Sequence, residues 1–125
     1  MQSDETGKTG RRLRVLLVED NVDALEGLVE MTGLLGHDAH GCTSAENALS
    51  MLKGDQAFDL MITDIGLPGI SGLELARQVR ALRPLEITVA SGYARSNDVP
   101  SDVGWLMKPF GIEEYAALLD QAAQR

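Results

Sequence analysis

The feature that most constrains the fold of this chain is a regular alternation of short strand-like runs with longer stretches of helical apolar spacing. The clearest runs, at residues 13–18 and 59–63, are short and almost wholly apolar, as strands buried on both faces are. Further short runs at 37–42, 85–90 and 103–107 bring the number to five. We therefore expect an α/β fold, a doubly wound five-stranded parallel sheet of (βα)5 type with helices on both faces.

Helical spacing separates these runs. Apolar residues recur every three or four positions over 22–35, 45–52, 73–82 and 112–122, which predicts amphipathic helices. Ser44 stands immediately before the second of these stretches, where a serine hydroxyl caps free backbone N–H groups. The first three predicted helices each connect two strands, as the crossover of a parallel sheet requires, and the fourth follows the last strand.

The alternation breaks between the fourth and fifth runs. The connecting sequence, SGYARSNDVPSDVG at residues 91–104, holds Pro100, two glycines and several turn-forming residues, with almost no apolar stripe. We expect at most one or two turns of helix here. The fourth helix of the sheet is therefore predicted to be shortened or absent.

Length and charge limit the kinds of protein that this chain can be. A length of 125 residues predicts a single domain, over residues 12–125, and the polar residues at the start predict a flexible N-terminal tail over 1–11. Nineteen acidic residues against eleven Lys and Arg give a net charge of -8, which argues against nucleic acid as a direct partner. The sequence has no apolar run of about 20 residues, so we expect no membrane association. It has a single cysteine, which is typical of a reducing cytoplasm.

Charged and polar side chains follow the ends of four predicted strands. Glu19 and Asp20 follow the first strand, Asp64 the third, Ser91 the fourth and Lys108 the fifth. Ligands of an open parallel sheet bind outside the carboxyl ends of its strands, near the switch in strand order. We therefore expect these five side chains to converge at one edge of the sheet.

Three converging carboxylates call for a cation, because two like charges about 4 Å apart repel by roughly 4 kcal/mol at an intermediate dielectric. Oxygen ligands favour Mg²⁺, which binds carboxylates together with phosphate oxygens. Lys108 supplies a positive charge, and the Ser91 hydroxyl and the Gly92 N–H supply donors to a phosphoryl oxygen. The pattern predicts a magnesium site for phosphoryl transfer.

Together these residues resemble the receiver domain of two-component response regulators. The resemblance covers about residues 12–124 and implies a flavodoxin-like, CheY-like fold. Five motifs at nearly the family spacing make it specific, although each alone is weak. The motifs are Glu19-Asp20; Asp64; Leu67-Pro68-Gly69 with Gly72; Ser91-Gly92; and Lys108-Pro109-Phe110.

The resemblance implies a phosphoacceptor and a set of metal ligands. Asp64 is the residue expected to attack a phosphohistidine and to become an aspartyl phosphate. Asp20 and Asp64 are expected to bind Mg²⁺ directly, Glu19 mainly through water, and Gly66 through its backbone carbonyl. The domain is then a phosphoprotein that takes part in phosphoryl transfer and its own dephosphorylation only, and is not otherwise an enzyme.

The resemblance also implies how the phosphoryl group is bound and sensed. Ser91, Gly92 and Lys108 are expected to bind its oxygens, and the Lys108–Pro109 peptide bond is expected to be cis. Trp105 lies three residues before the lysine, where the family usually carries a Tyr or Phe that turns inward on activation. Ser91 and Trp105 are thus the expected switch residues.

The implied partners are proteins of a phosphorelay. A histidine kinase or a histidine phosphotransfer protein is expected to donate the phosphoryl group, and the downstream protein target and any homodimer stay open. We expect no DNA-binding module within these 125 residues. Both a single-domain response regulator and the receiver of a hybrid sensor kinase fit.

A small hydrolase and a flavin-binding domain are the two alternative functions. A small hydrolase with an aspartyl nucleophile would normally carry a second aspartate two residues after the first, where this chain has Gly66. A flavin-binding domain needs a loop that cradles phosphate after the first strand. The anions Glu19 and Asp20 stand there instead and would repel phosphate.

The remaining candidates have simpler interpretations. The Gly-Lys-Thr triplet at 7–9 precedes a strand, whereas a phosphate-binding loop follows one, so we assign it to the tail. His37 and His40 lack a further His or Cys partner, and we expect a surface strand instead of a metal site. Cys42 is expected to fill the core. For Tyr93, shielding of the site and covering of the missing helix are both open.

Overall fold

The computed structural model describes residues 11–124. Residues 1–10 of the predicted tail at 1–11 lie outside the described residues. Arg11 itself is bound to the domain, because its backbone N–H donates to the carbonyl of Ala123 and its guanidinium lies 2.9 Å from Asp59.

Five parallel strands form one sheet in the order β2-β1-β3-β4-β5. This arrangement confirms the predicted fold class. The predicted bounds differ by a residue or so, and Asp64 and Ser91 turn out to be the last residues of their strands. The elements are β1 (Arg14–Val18), α1 (Val22–Leu34), β2 (Asp38–Cys42), α2 (Ala45–Lys53), β3 (Leu60–Asp64), α3 (Gly72–Leu82), β4 (Glu86–Ser91), β5 (Val103–Met107) and α4 (Ile112–Ala123).

Three of the helices begin at a side-chain cap. Asn21 accepts a hydrogen bond from the N–H of Ala24, and Ser44 accepts one from Asn47, as the sequence predicts. Ser71 caps α3 in the same way. Each cap satisfies a backbone donor that would otherwise have no partner in the first helical turn, which fixes where the helix starts.

The sheet separates two hydrophobic cores, one on each face. Strand alternation directs Leu16 and Met61 to the face that α2 and α3 cover. Leu17 and Leu60 point to the opposite face, against α1 and α4. All four side chains are fully buried, and each stabilises the fold by about 1.5–3 kcal/mol. The central strands are thereby fixed, together with the polar residues at their carboxyl ends.

The surface location predicted for His37 is wrong. The side chain is buried, because the turn after α1 brings its ring under the start of β1, where Nδ1 accepts a hydrogen bond of 3.0 Å from the Leu13 N–H. His40 is partly buried and lies edge-on to Phe58. Cys42 is buried in the core, as expected.

The crossover from β4 to β5 contains turns and bends but no helix over residues 92–102, which confirms the predicted loss. Side chains replace the helix. The two terminal nitrogens of Arg95 donate to the carbonyls of Val103, at 2.5 Å, and Pro100, at 2.6 Å. Val99 is buried in the core beside α3. The loop is therefore closed by an arginine and one apolar anchor.

Candidate functional site

The candidate site lies at the carboxyl edge of the sheet, beside the switch in strand order. Glu19 and Asp20 directly follow β1, and Asp64 ends β3, the strand next to it. From β1 the chain moves to β2 on one side and then to β3 on the other. The crevice between β1 and β3 is thus where a doubly wound sheet places its ligands.

Three carboxylates meet in this crevice. Glu19, Asp20 and Asp64 each offer an oxygen, and these oxygens lie within 4.8 Å of one another. Within residues 11–124 this is the one group of three or more His, Cys, Asp or Glu side chains close enough to bind a metal ion together. Glu19 is buried and Asp20 exposed, with the Asp64 side chain 14% exposed. An all-oxygen set with an open side fits Mg²⁺, which keeps several waters.

Lys108 is the cation beside the carboxylates. Its Nζ donates to Asp64 Oδ1 at 2.5 Å and lies 3.6 Å from Glu19 Oε1. Burial lowers the pKa of Lys108, but the hydrogen bond and charge of Asp64, together with Glu19, outweigh it and raise the pKa above its usual value. Lys108 is therefore charged at neutral pH. One ammonium against three carboxylates leaves formal negative charge that a divalent cation would balance.

Backbone and helix contacts fix the orientation of Glu19. Its Oε2 accepts a hydrogen bond of 3.1 Å from the Asn21 N–H, at the residue that caps α1. Its other oxygen, Oε1, is the one that faces Lys108. The sequence predicts Glu19 in the cluster, but its contact with Asn21 has no sequence signal, because the donor is a backbone N–H.

Ser91 is completely buried at the end of β4. Its Oγ accepts a hydrogen bond of 3.0 Å from the Tyr93 N–H, which leaves the hydroxyl hydrogen free for another acceptor. The Lys108 N–H donates to the Ser91 carbonyl at 2.8 Å and so ties the two predicted phosphoryl ligands together. Gly92, between Ser91 and Tyr93, is exposed.

Trp105 is connected to this turn through Tyr93. The indole Nε1 donates to the Tyr93 carbonyl at 2.8 Å, and the Trp105 side chain packs partly against the core. The Tyr93 ring is 78% exposed, so neither role left open for it by the sequence is supported. Its backbone instead links Ser91 to Trp105, a contact that sequence reasoning missed because every residue carries the same backbone groups.

Two further predicted positions flank Asp64 and Lys108. The Lys108–Pro109 peptide bond is cis, as the resemblance implies. Gly66 is exposed beside the carboxylate, since a Cβ built there would lie 3.8 Å from Asp64 Oδ2. Gly66 therefore lies beside the Asp64 carboxylate, with no side chain to crowd it.

Comparison with known families settles which family the chain represents. The sequence model of the response regulator receiver domain matches residues 15–120, from the second residue of β1 to within α4. The chain belongs to this family. Receiver domains are signalling domains of two-component systems, and this chain is accordingly a two-component receiver domain with a CheY-like fold.

Individual relatives place the family in different kinds of protein. The virulence sensor protein BvgS of Bordetella pertussis is 42% identical over 84 residues, which cover 67% of this chain and 6% of BvgS. The chain thus spans a small part of that relative. The response regulator receiver protein CpdR of Brucella abortus is 32% identical over 107 residues, which cover 81% of this chain and 88% of CpdR.

A solved structure agrees in fold. The CheY-like receiver domain from Methylobacillus flagellatus superposes with a TM-score of 0.82 at 27% identity, over 90% of this chain and 99% of that one. No helix between residues 11 and 124 is both long enough and apolar enough to span a bilayer.

Proposed function

We propose that Asp64 accepts a phosphoryl group from a phosphohistidine and becomes an aspartyl phosphate. The observation that carries this proposal is the 2.5 Å contact between Lys108 Nζ and Asp64 Oδ1 inside a cluster of three carboxylates. A carboxylate with low exposure, next to a cation and two further anions, is well placed for phosphoryl transfer.

In the proposed step, a carboxylate oxygen of Asp64 attacks phosphorus and forms the new P–O bond. The P–N bond of the donor breaks, its electron pair stays on the imidazole nitrogen, and that nitrogen takes up a proton from water. Lys108 exchanges its contact with Asp64 for a phosphoryl oxygen, and the free hydroxyl hydrogen of Ser91 and the Gly92 N–H donate to others.

Asp20 and Asp64 would hold Mg²⁺ directly, with the Gly66 carbonyl, while Glu19 would act mainly through water. When bound, the ion supplies positive charge against the oxygens of the transferred group. The protein residues carry out the rest: Glu19 is fixed by the Asn21 N–H, and Lys108 neutralises part of the anionic charge before the transfer.

The switch would run from Ser91 through the Tyr93 backbone to Trp105. When the Ser91 hydroxyl turns to a phosphoryl oxygen, the turn at 91–93 shifts, and the indole bound to the Tyr93 carbonyl responds. Phosphorylation adds about -1.5 to -2 of charge at the site, which supplies the energy for such a change.

The donor would be a histidine kinase or a histidine phosphotransfer protein, in the cytoplasm. The output would be altered binding of a partner protein, or of a second copy of this domain. The domain would turn over only its own aspartyl phosphate. BvgS and CpdR illustrate the two settings that we consider, a receiver within a sensor protein and a receiver that forms most of its protein.

A fluorescence titration tests this proposal. Mg²⁺ and then beryllofluoride, a phosphoryl mimic, are added while the emission of Trp105 is recorded in the wild type, Asp64→Asn and Asp55→Asn. Asp55 is an exposed loop residue outside the cluster and serves as the matched control. We expect the wild type and Asp55→Asn to respond to the mimic and Asp64→Asn to be silent. An equal response in Asp64→Asn rules out Asp64 as the phosphoacceptor.

A further inference from the structure

The Asp64 carbonyl packs directly against Gly72, the first residue of α3. A Cβ built on Gly72 would lie 2.0 Å from the Asp64 carbonyl oxygen, 2.8 Å from its carbonyl carbon and 2.9 Å from the Ile65 Cα. All three are backbone atoms, so no side-chain rotation relieves the overlap. Gly72 is not among the glycines with positive φ, and its missing side chain is therefore required for space.

Hydrogen bonds also fix the backbone of Asp64 and Ile65. The Ile65 N–H donates to the Ala90 carbonyl of β4 at 3.0 Å, and the Gly72 N–H donates to the Ile65 carbonyl at 2.8 Å. The buried Thr63 hydroxyl donates to the Asp64 carbonyl at 3.0 Å. A methyl group at residue 72 must therefore displace either the start of α3 or the Asp64 backbone.

Displacement of that backbone moves the carboxylate, because both are attached to the same Cα. The Asp64 oxygens are set against Lys108 at 2.5 Å and against Glu19 and Asp20 within 4.8 Å. A shift of about 1 Å in a reacting group can cost roughly 10²-fold in rate. The fit between α3 and β3 therefore decides where the carboxylate stands.

We propose that Gly72 is a positioning residue for Asp64: its missing Cβ lets α3 begin against the Asp64 carbonyl and so sets the carboxylate within the cluster. This inference rests on the proposed function and deepens it. Gly27, in α1, offers a contrast, because a Cβ there meets nothing within 4 Å.

The test compares Gly72→Ala with Gly27→Ala. Phosphorylation by the small donor phosphoramidate is followed by intact mass, and Mg²⁺ binding by calorimetry, well below the unfolding temperature. We expect Gly72→Ala to lose at least tenfold in rate and to raise the Mg²⁺ dissociation constant at least threefold, with unchanged far-ultraviolet circular dichroism. Gly27→Ala should stay within twofold of the wild type. Alanine favours helices more than glycine, so a loss at residue 72 reports the contact and not helix propensity.

Wild-type rate and Mg²⁺ affinity in a folded Gly72→Ala would overturn the positioning role. If Gly72→Ala does not fold, Thr63→Val tests whether the placement of the Asp64 backbone matters. This variant removes the hydroxyl donor to the Asp64 carbonyl and keeps the β-branched shape. We then expect at least a threefold loss of rate, and an unchanged rate overturns the inference. If neither the wild type nor Gly27→Ala is phosphorylated, the proposed function is wrong. The role of Gly72 is then tested by the Mg²⁺ dissociation constants alone.

Discussion

At the amino end of the sheet two aspartates each have their own arginine, whereas at the carboxyl end three clustered carboxylates have one lysine beside them. Arg11 lies 2.9 Å from Asp59, and Arg12 lies 2.5 Å from Asp38. These pairs balance charge locally and are largely exposed, so each stabilises the fold only slightly. At the opposite end Lys108 pairs with Glu19 and Asp64, two members of the cluster of three carboxylates.

The difference in charge pairing distinguishes acidic residues that stabilise the fold from those that form the candidate site. Glu19 and Asp64 are much less exposed than Asp38 or Asp59, and a desolvated anion without a matching cation is costly. Such a cost is tolerated where it prepares a site for a ligand. We therefore expect substitutions at the carboxyl end to change chemistry, and those at the amino end to change stability alone.

The largest effect is expected for Lys108→Gln. Loss of one preorganised donor typically slows transfer by about 10²-fold or more, so the rate with phosphoramidate should fall by that order. Mg²⁺ should bind more tightly, because the competing ammonium is gone. Lys53→Gln, at an exposed residue near the end of α2, is the matched control and should change neither value. An unchanged rate in Lys108→Gln would remove the lysine from the proposed mechanism.

A smaller effect is expected for Asp20→Asn, with opposite signs for function and stability. Removal of a direct ligand should weaken Mg²⁺ about tenfold or more by calorimetry, since carboxylate charge dominates such sites. The metal-free protein should become more stable, by about 1 kcal/mol at low salt, because one repulsion among like charges is relieved. A metal-free Asp20→Asn protein that is less stable than the wild type would contradict the expected repulsion among the three carboxylates.

The smallest effect is expected for Asp59→Asn at the amino end. Burial raises the pKa of Asp59, but the Arg14 N–H and the Arg11 guanidinium outweigh it and lower the pKa below its ordinary value. A carboxyl whose pKa is lower in the folded state stabilises the fold above its unfolded pKa of about 3.9. That contribution is lost as the pH falls through the folded pKa.

Thermal melts between pH 6 and pH 2 measure this effect. The unfolding temperature of Asp59→Asn should depend less steeply on pH below about 4 than that of the wild type. Mg²⁺ affinity at pH 7 should be unchanged. A large loss of Mg²⁺ binding in Asp59→Asn would contradict the claim that carboxylates at the amino end of the sheet affect stability alone.

Much of the fold and the site followed from local sequence patterns. The apolar runs predicted parallel strands, and parallel strands bring Glu19, Asp64, Ser91 and Lys108 to one edge whatever the details of packing. The loss of the fourth helix was also predictable, because a stretch without apolar spacing has nothing to pack against the sheet. In these cases the signal was periodicity or order along the chain.

Contacts between distant residues and the backbone were not predictable in this way. The burial of His37 depends on the Leu13 N–H, and the connection between Ser91 and Trp105 depends on the backbone of Tyr93. Closure of the helix-free crossover by Arg95 is of the same kind, because its acceptors are main-chain carbonyls. Backbone groups are the same at every residue, so these contacts leave no pattern in the sequence.

The most direct measurement locates the phosphoryl group itself. The protein is treated with phosphoramidate with and without Mg²⁺, the acyl phosphate is trapped by borohydride reduction, and tryptic peptides are sequenced by mass spectrometry. Cleavage after Lys53 and Arg77 yields a peptide that contains Asp55, Asp59 and Asp64, which fragment ions distinguish. We predict Mg²⁺-dependent modification at Asp64 alone. Modification at another aspartate, or at Asp64 to the same extent without Mg²⁺, would contradict the assignment of this edge of the sheet as a magnesium-dependent phosphoacceptor site.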